Sequence, residues 1–256
     1  MGSTDFVPTK LVSTSIIKTA SDDWFADFNN TGLATMAIGR IPVRTAAEAD
    51  TVVGKIVKHA SLPPDAWTKN VQIVSDHTTF GISFDREGDQ VAGLVPAPLT
   101  TDRVSFSAPG DPSAAVIDAF GRGSLLMNYL GHGSVEVWSD YIFTSSMAET
   151  LTNGDKLPFV VTMNCLNGYF HDPYVESVAE ALLKNSGGGA FGVWASSALT
   201  TPNEQLRVDL ELFRQLFGGT HPSIGDAVLK AKQVTTDSDV RRAWILFGDP
   251  SVKLQP

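Results

Sequence analysis

The chain is nearly devoid of cysteine: Cys165 is the one cysteine in 256 residues. No intramolecular disulfide can form, so packing must hold the fold, and cysteine usage names no redox compartment. Long apolar runs are missing as well, and no stretch approaches the roughly eighteen residues of a membrane-spanning helix. Basic residues are scarce: 19 Lys and Arg stand against 28 Asp and Glu, a net charge of −9. That balance argues against nucleic acid or an anionic membrane as partner. The first residues, Met1-Gly2-Ser3-Thr4-Asp5, lack the basic and apolar character of an export signal. No internal repeat or low-complexity tract is visible. A G-x-S-x-G elbow and a P-loop are absent too, which disfavours a serine hydrolase and a nucleotide-binding domain of those types.

What is present suffices for a substantial core: 43% of the residues are hydrophobic, enough for one large domain or two fused lobes. Residues 1–32, rich in Ser, Thr, Asp and Asn, read as an irregular or partly extended lead-in. Residues 33–256 read as one α/β domain. A strand is expected over 33–43, ended by Gly39-Arg40-Ile41-Pro42. Thr45-Ala46-Ala47-Glu48 is a capping-box pattern opening a helix with Val52, Val53, Ile56 and Val57 on its apolar face. A short strand is expected over 70–75, then a loop-rich tract over 77–112 and a helix over 111–120. Apolar runs at 125–130 and 157–165 are expected strands, followed by an amphipathic stretch at 173–185 and a buried strand ending at Trp194. Helices at 203–217 and 223–232 and a strand at 241–247 close the pattern. Such alternation predicts a mostly parallel sheet covered on both faces.

The chemistry concentrates where strands stop. The run Leu157 to Cys165 ends on the thiol, and Leu125 to Leu130 ends in Gly131-His132-Gly133. Parallel strands end on one edge, where ligands and catalytic groups collect. A thiol and an imidazole at that edge make a nucleophile and its base. The plain alternative for Cys165 is a small buried hydrophobe; Leu166-Asn167-Gly168 is turn chemistry, which sets the thiol where the strand breaks. His132 has the alternative of a satisfied strand-end histidine, which its flanking glycines weaken by leaving the ring open and admitting close approach. Asp76 ends the third candidate strand, where a carboxylate would accept the second imidazole proton; an ordinary loop aspartate is the alternative. His59, His77, His171 and His221 lack such context and read as surface residues. Their scatter, with one cysteine, disfavours a zinc site.

Two motifs carry a family resemblance. Leu126-Met-Asn-Tyr-Leu-Gly-His132-Gly-Ser-Val-Glu-Val-Trp138 resembles the histidine motif of the gingipain-like cysteine peptidases, family C25 of a caspase-like clan. Leu157-Pro-Phe-Val-Val-Thr-Met-Asn-Cys165-Leu-Asn-Gly-Tyr-Phe170 is similar to that family's nucleophile motif, at matching spacing. Ala37 to Arg44 and Trp244 to Ser251 resemble further family segments, so the likeness spans about residues 21 to 253.

This resemblance implies a caspase-like three-layer αβα sandwich with a mostly parallel central sheet. It also implies endopeptidase activity through Cys165 and His132 on a peptide or protein substrate, with Asp76 assisting the histidine and the amides of Gly133 and Cys165 as the oxyanion hole. The family selects Arg or Lys before the scissile bond through a pocket acid. Asp85, within Phe84 to Asp89, is the implied choice, with a solvated charge run as its alternative. Trp194 and Ser196 fall on the strand implied to wall that pocket. The tryptophan of arginine-specific members has no counterpart in Ser197 to Asn203, which sets basic preference in question. No cofactor is implied for the chemistry. Structural calcium occurs in the family, and Asp27, Asn29 and Thr31 alternate before Gly32 like a calcium loop, although a turn accounts for them better. The family is exported by bacteria, which implies a secreted or cell-surface location. A catalytically silent caspase-like interaction module is the competing class.

Overall fold

A computed structural model describes residues 7 to 255. The chain opens with a short antiparallel hairpin, β1 (Leu11–Ser13) and β2 (Lys18–Ala20). After an irregular stretch comes α1 (Ala46–Ser61), where Thr45 Oγ1 accepts from the Glu48 amide and satisfies one orphan donor of the first turn. There follow β3 (Asn70–Ser75), α2 (Phe84–Ala92), β4 (Thr100–Ser105), α3 (Pro112–Arg122) and β5 (Leu126–Leu130). A tight hairpin, β6 (Gly133–Ser134) and β7 (Val137–Trp138), leads to α4 (Ser145–Glu149) and β8 (Phe159–Met163). The chain closes with α5 (Val178–Lys184), β9 (Gly192–Ser196), α6 (Pro202–Phe217), α7 (Ile224–Gln233), α8 (Ser238–Ala243) and β10 (Trp244–Phe247).

Six strands form the central sheet, in the order β10-β9-β8-β5-β3-β4. Strand β10 runs antiparallel to β9, and every other pairing is parallel. Strands β5, β8, β9 and β10 are buried along their whole length. That burial is why their sequences are continuous apolar runs rather than alternating ones. Helices α2, α6 and α7 pack on one face, and α1, α4 and α5 on the other. Because β3, β5, β8 and β9 are parallel, Asp76, His132, Cys165 and the loop after Ser196 all leave from one edge.

Several expectations change. Residues 33–43 form no strand; Arg40 makes one isolated bridge to Phe247. Here the backbone is pressed against its neighbour, since a Cβ on Gly39 would stand 2.3 Å from Gly248 O. The tract 77–112 is not all loop, for it holds α2 and β4. Strand β4 is the sheet edge and largely exposed, so its sequence, Thr-Thr-Asp-Arg-Val-Ser, is too polar to read as a strand. On α1 the buried face carries Val52, Lys55, Ile56 and His59, whereas Val53 and Val57 are exposed. Lys55 Nζ reaches the carbonyls of Leu182 and Leu183 at 3.1 and 2.7 Å, at the end of α5. His59 is buried against Phe191 rather than on the surface. Arg241 to Ala243 belong to α8, and β10 begins at Trp244. The stretch Gly187 to Gly192 has G-x-G-x-x-G spacing, but it leads from helix into strand, the reverse of a dinucleotide loop.

Candidate active site

The turn after β8 is held open by backbone geometry. Leu166 has φ 64°, in the left-handed region that non-glycine residues rarely occupy. Its amide bonds Ala198 O at 3.3 Å, and that of Gly168 bonds Ser196 O at 2.8 Å. The thiol is thereby set at the surface, half-buried. Cys165 Sγ donates to Thr200 O at 3.6 Å. Gln205, in the first turn of α6, fixes that acceptor by donating to Thr200 O at 3.2 Å and Thr200 Oγ1 at 3.0 Å. Burial pushes the thiol pKa up, and the hydrogen bonds with Thr200 and Gln205 offset part of that rise.

His132 leaves the adjacent strand. Gly131 N donates to Met163 O at 3.1 Å, so the two chains are still paired just before both side chains emerge. The His132 ring packs edge-on against Phe84, and its Nε2 shares a 2.8 Å hydrogen bond with Thr79 Oγ1. Thiol and imidazole are therefore brought to neighbouring strand tips, yet in this conformation each bonds a different partner.

Asp76 is wholly buried at the tip of β3. Its carboxylate accepts from two backbone amides, Oδ1 from His77 at 2.6 Å and Oδ2 from His132 at 2.8 Å. The expected bond to the imidazole is not made. The physical reason is that both oxygens are turned to the backbone, where they fix the histidine's main chain. The two glycines flanking His132 answer close packing rather than unusual angles. A Cβ on Gly131 would stand 2.4 Å from Asp76 Cβ, and one on Gly133 2.2 Å from Asn164 Nδ2.

A buried amide network locks the two loops together. Asn167 Oδ1 accepts from Trp138 Nε1 at 2.8 Å and from Asn164 Nδ2 at 2.6 Å. Its Nδ2 donates to Ser134 O at 2.6 Å. Tyr129 stacks on Trp138 and donates its hydroxyl to His132 O at 2.7 Å. Ser139 N donates to that same carbonyl, which makes Gly133 and Trp138 the wide pair of the β6–β7 ladder. The Gly133 amide thus points out of the hairpin, and the Cys165 amide meets no protein acceptor among the described residues.

The expected specificity residues lie elsewhere. Asp85 Oδ2 accepts from Ser105 Oγ at 2.9 Å, on the edge strand β4. That strand is three positions from β8 in the sheet, a separation of about 14 Å at the usual strand spacing. Trp194 and Ser196 are wholly buried, and the Ser196 hydroxyl is used within its own loop by Ala198. Asp27 spends its carboxylate on the amides of Thr31 and Gly32, at 2.9 and 2.6 Å. Asp27 thus holds the turn that contains Asn29 and Thr31, and no group of three His, Cys, Asp or Glu side chains able to hold a metal occurs among the described residues.

Sequence reasoning passed over two buried acids on α6 and α2, Asp209 and Glu87. Asp209 lies one turn after Gln205 on the buried face of α6 and is completely enclosed. Its Oδ2 accepts from Asn128 Nδ2 at 2.7 Å, while Oδ1 has no partner. Burial pushes its pKa up to about 8, and Glu87 on α2 adds to the rise. Glu87 is itself pushed up to about 7 by burial. The signal was two polar residues, Gln205 and Asp209, on the otherwise apolar face of Val208 and Leu212.

Comparison with known proteins returns a consistent set. The model of peptidase family C25 matches residues 1–255. Gingipain R2 of Porphyromonas gingivalis is 28% identical over 158 residues, which are 56% of this chain and 21% of that protein. Gingipain R1 of the same organism gives the same identity over 16% of its length. The crystal structure of the Arg-specific cysteine proteinase gingipain R superposes with a TM-score of 0.84 at 22% identity, covering 97% of this chain and 62% of that one. The Saccharomyces cerevisiae separase–securin complex superposes at 0.62 and 16% identity over 88% of this chain and 14% of that one. The sheet and its helical layers are thus those of the caspase-like αβα sandwich, and the match spans about a fifth or less of the curated relatives' length.

Proposed function

Because the chain belongs to peptidase family C25, we propose that it hydrolyses peptide bonds as a cysteine endopeptidase, with Cys165 as nucleophile and His132 as base. One observation carries the reading: a solvent-reachable thiol and imidazole leave adjacent parallel strands at one sheet edge. The raised thiol pKa means the sulfur is protonated at neutral pH, so attack requires a base. Side-chain rotation away from Thr200 and Thr79 brings the two groups together when substrate arrives. Sγ bonds the carbonyl carbon as its proton passes to the imidazole, and the carbonyl electrons move to oxygen. The outward amides of Gly133 and Cys165 receive that oxyanion. Collapse breaks the C–N bond, with the imidazole proton going to the leaving nitrogen. Water, deprotonated by the same ring, then releases the acyl group from sulfur. Asp76 serves by fixing the main chain of His132.

A preference for a basic residue before the scissile bond is carried by the relatives, an Arg-specific cysteine proteinase being among the superposed structures. No metal takes part in any step. A protein substrate outside a bacterial cell fits the relatives' source, and no helix among the described residues is long and apolar enough to cross a membrane.

The second reading, a silent interaction module, is favoured by the resting bonds themselves, since thiol and imidazole each engage another group. A fluorogenic peptide library with wild type and Cys165→Ala separates the two. Cleavage lost in the variant supports the peptidase; cleavage surviving in it, or absent from both, ends that reading.

A further inference from the structure

A cavity of about 280 Å³ opens on the β10 side of the catalytic edge, lined in part by Lys10, Ser21, Trp24, Asp27 and Arg242. It is built on the same loop that holds the thiol. Ser197 donates its Oγ to Ala20 O and its amide to Ala243 O, both at 2.8 Å. Ser21 and Arg242 are the neighbours of those two partners, and Thr200, three residues after Ser197, accepts from Cys165.

The charges in this cavity are unevenly satisfied. Asp23 gives both oxygens to Lys232 Nζ, each at 2.8 Å. Asp27 gives both to the amides of Thr31 and Gly32. By contrast, neither Lys10 nor Arg242 has a carboxylate oxygen within 4.0 Å among the described residues. Arg242 favours the charged form of Asp27 at longer range and keeps its donors. Lys10 Nζ stands 4.3 Å over the half-exposed Trp24 ring. Ser21 is 1% exposed, and its hydroxyl has no partner. Two cations without a carboxylate partner among the described residues and an unpaired buried hydroxyl around one cavity are complementary to an anion.

We propose that this cavity is a subsite for a carboxylate side chain of the substrate, on the acyl side of the scissile bond. The proposal rests on the peptidase reading for the direction of the chain. The leaving amine takes its proton from His132 on β5, so the leaving half extends toward β5 and the acyl half toward β9 and β10. Two strand spacings are about 10 Å, the reach of about three extended residues. The carboxylate therefore belongs to the third or fourth residue before the cleaved bond. Lys10 and Arg242 bind it, Ser21 Oγ donates to it, and the Trp24 ring covers its methylene stem.

Calorimetric titration of Cys165→Ala with acetylated hexapeptides tests this without turnover. The peptides carry glutamate or glutamine at the third or fourth position before an arginyl bond. Glutamate is expected to bind at least tenfold more tightly at low salt. That ratio should fall to near one in Lys10→Gln/Arg242→Gln, in Lys10→Gln alone should the double variant not fold, and in 0.5 M salt. Trp24 fluorescence should respond to the glutamate peptide and not after Trp24→Phe. Equal affinities, a ratio unchanged in the variants, or binding of neither peptide overturns the subsite. Hydrolysis absent from wild type while the glutamate preference persists overturns the peptidase reading and leaves the subsite standing.

Discussion

Asp76 Oδ2 accepts the main-chain amide of His132 at 2.8 Å, so the acid steers the histidine through its backbone. Asp76→Asn replaces one acceptor with a donor, and one of the two amides loses its bond. A buried bond to a charged group contributes about 2 kcal/mol, so the melting temperature should fall by about 4–8 °C. An acid that polarised the ring would behave differently, shifting the pH profile of hydrolysis with little change in stability. Thermal unfolding and kcat against pH on the same sample separate the two roles.

Asn167 joins the nucleophile turn to the histidine hairpin, and its loss should be felt on both. Asn167→Ala leaves Trp138 Nε1 and Asn164 Nδ2 without their acceptor and Ser134 O without its donor. Each buried polar group left unpaired costs roughly 1–3 kcal/mol, so at least 3 kcal/mol of stability should go. Asn167→Asp keeps the acceptor and should recover part of it. Denaturant unfolding of the two variants checks the order, which a purely local turn role for Asn167 would not produce.

Legibility in the sequence followed burial. Strands β5, β8 and β9 and the helices α3, α6 and α7 could be placed because a stripe or run of apolar residues marks an element covered on a known side. Strand β4 could not, because an edge strand presents its polar residues to solvent. The face of α1 was misplaced for the opposite reason: Lys55 is buried by two helix-end carbonyls that no local pattern announces. The placement of Cys165 and His132 at one edge was legible because the ends of parallel strands share it. The partners that decide their chemistry, Thr200 and Thr79, come from loops whose path is set by tertiary contact alone. Asp209 was hidden likewise, since it pairs with Asn128 across a sequence separation of 81 residues.

Burial holds the Cys165 thiol above its ordinary pKa. Iodoacetamide labelling should therefore accelerate with pH through a midpoint above about 8.5, the usual cysteine value. Gln205→Ala removes a hydrogen bond that favours the thiolate, so its midpoint should move higher and labelling at pH 7.5 should slow. A preformed thiolate–imidazolium pair would instead label at a constant rate across neutral pH. Rates measured from pH 6 to 10 by mass spectrometry discriminate between these outcomes.

Asp209 ties stability to pH with a defined sign. Its pKa is pushed up to about 8 in the folded chain, against about 3.9 when unfolded. Between those values the folded state binds the extra proton, so stability is fully present below about pH 4 and is lost as pH rises through about 8. Glu87, pushed up to about 7, acts in the same direction over a narrower window. Lys55, lowered to about 7 by burial, opposes them at higher pH, because there the unfolded chain holds the extra proton. Comparing wild type with Asp209→Asn isolates the acid, since the other groups are common to both. The variant should lose stability less steeply between pH 5 and 8, and its melting temperature should overtake that of wild type toward pH 8. Parallel melting curves across that range would mean that Asp209 is ionised at neutral pH.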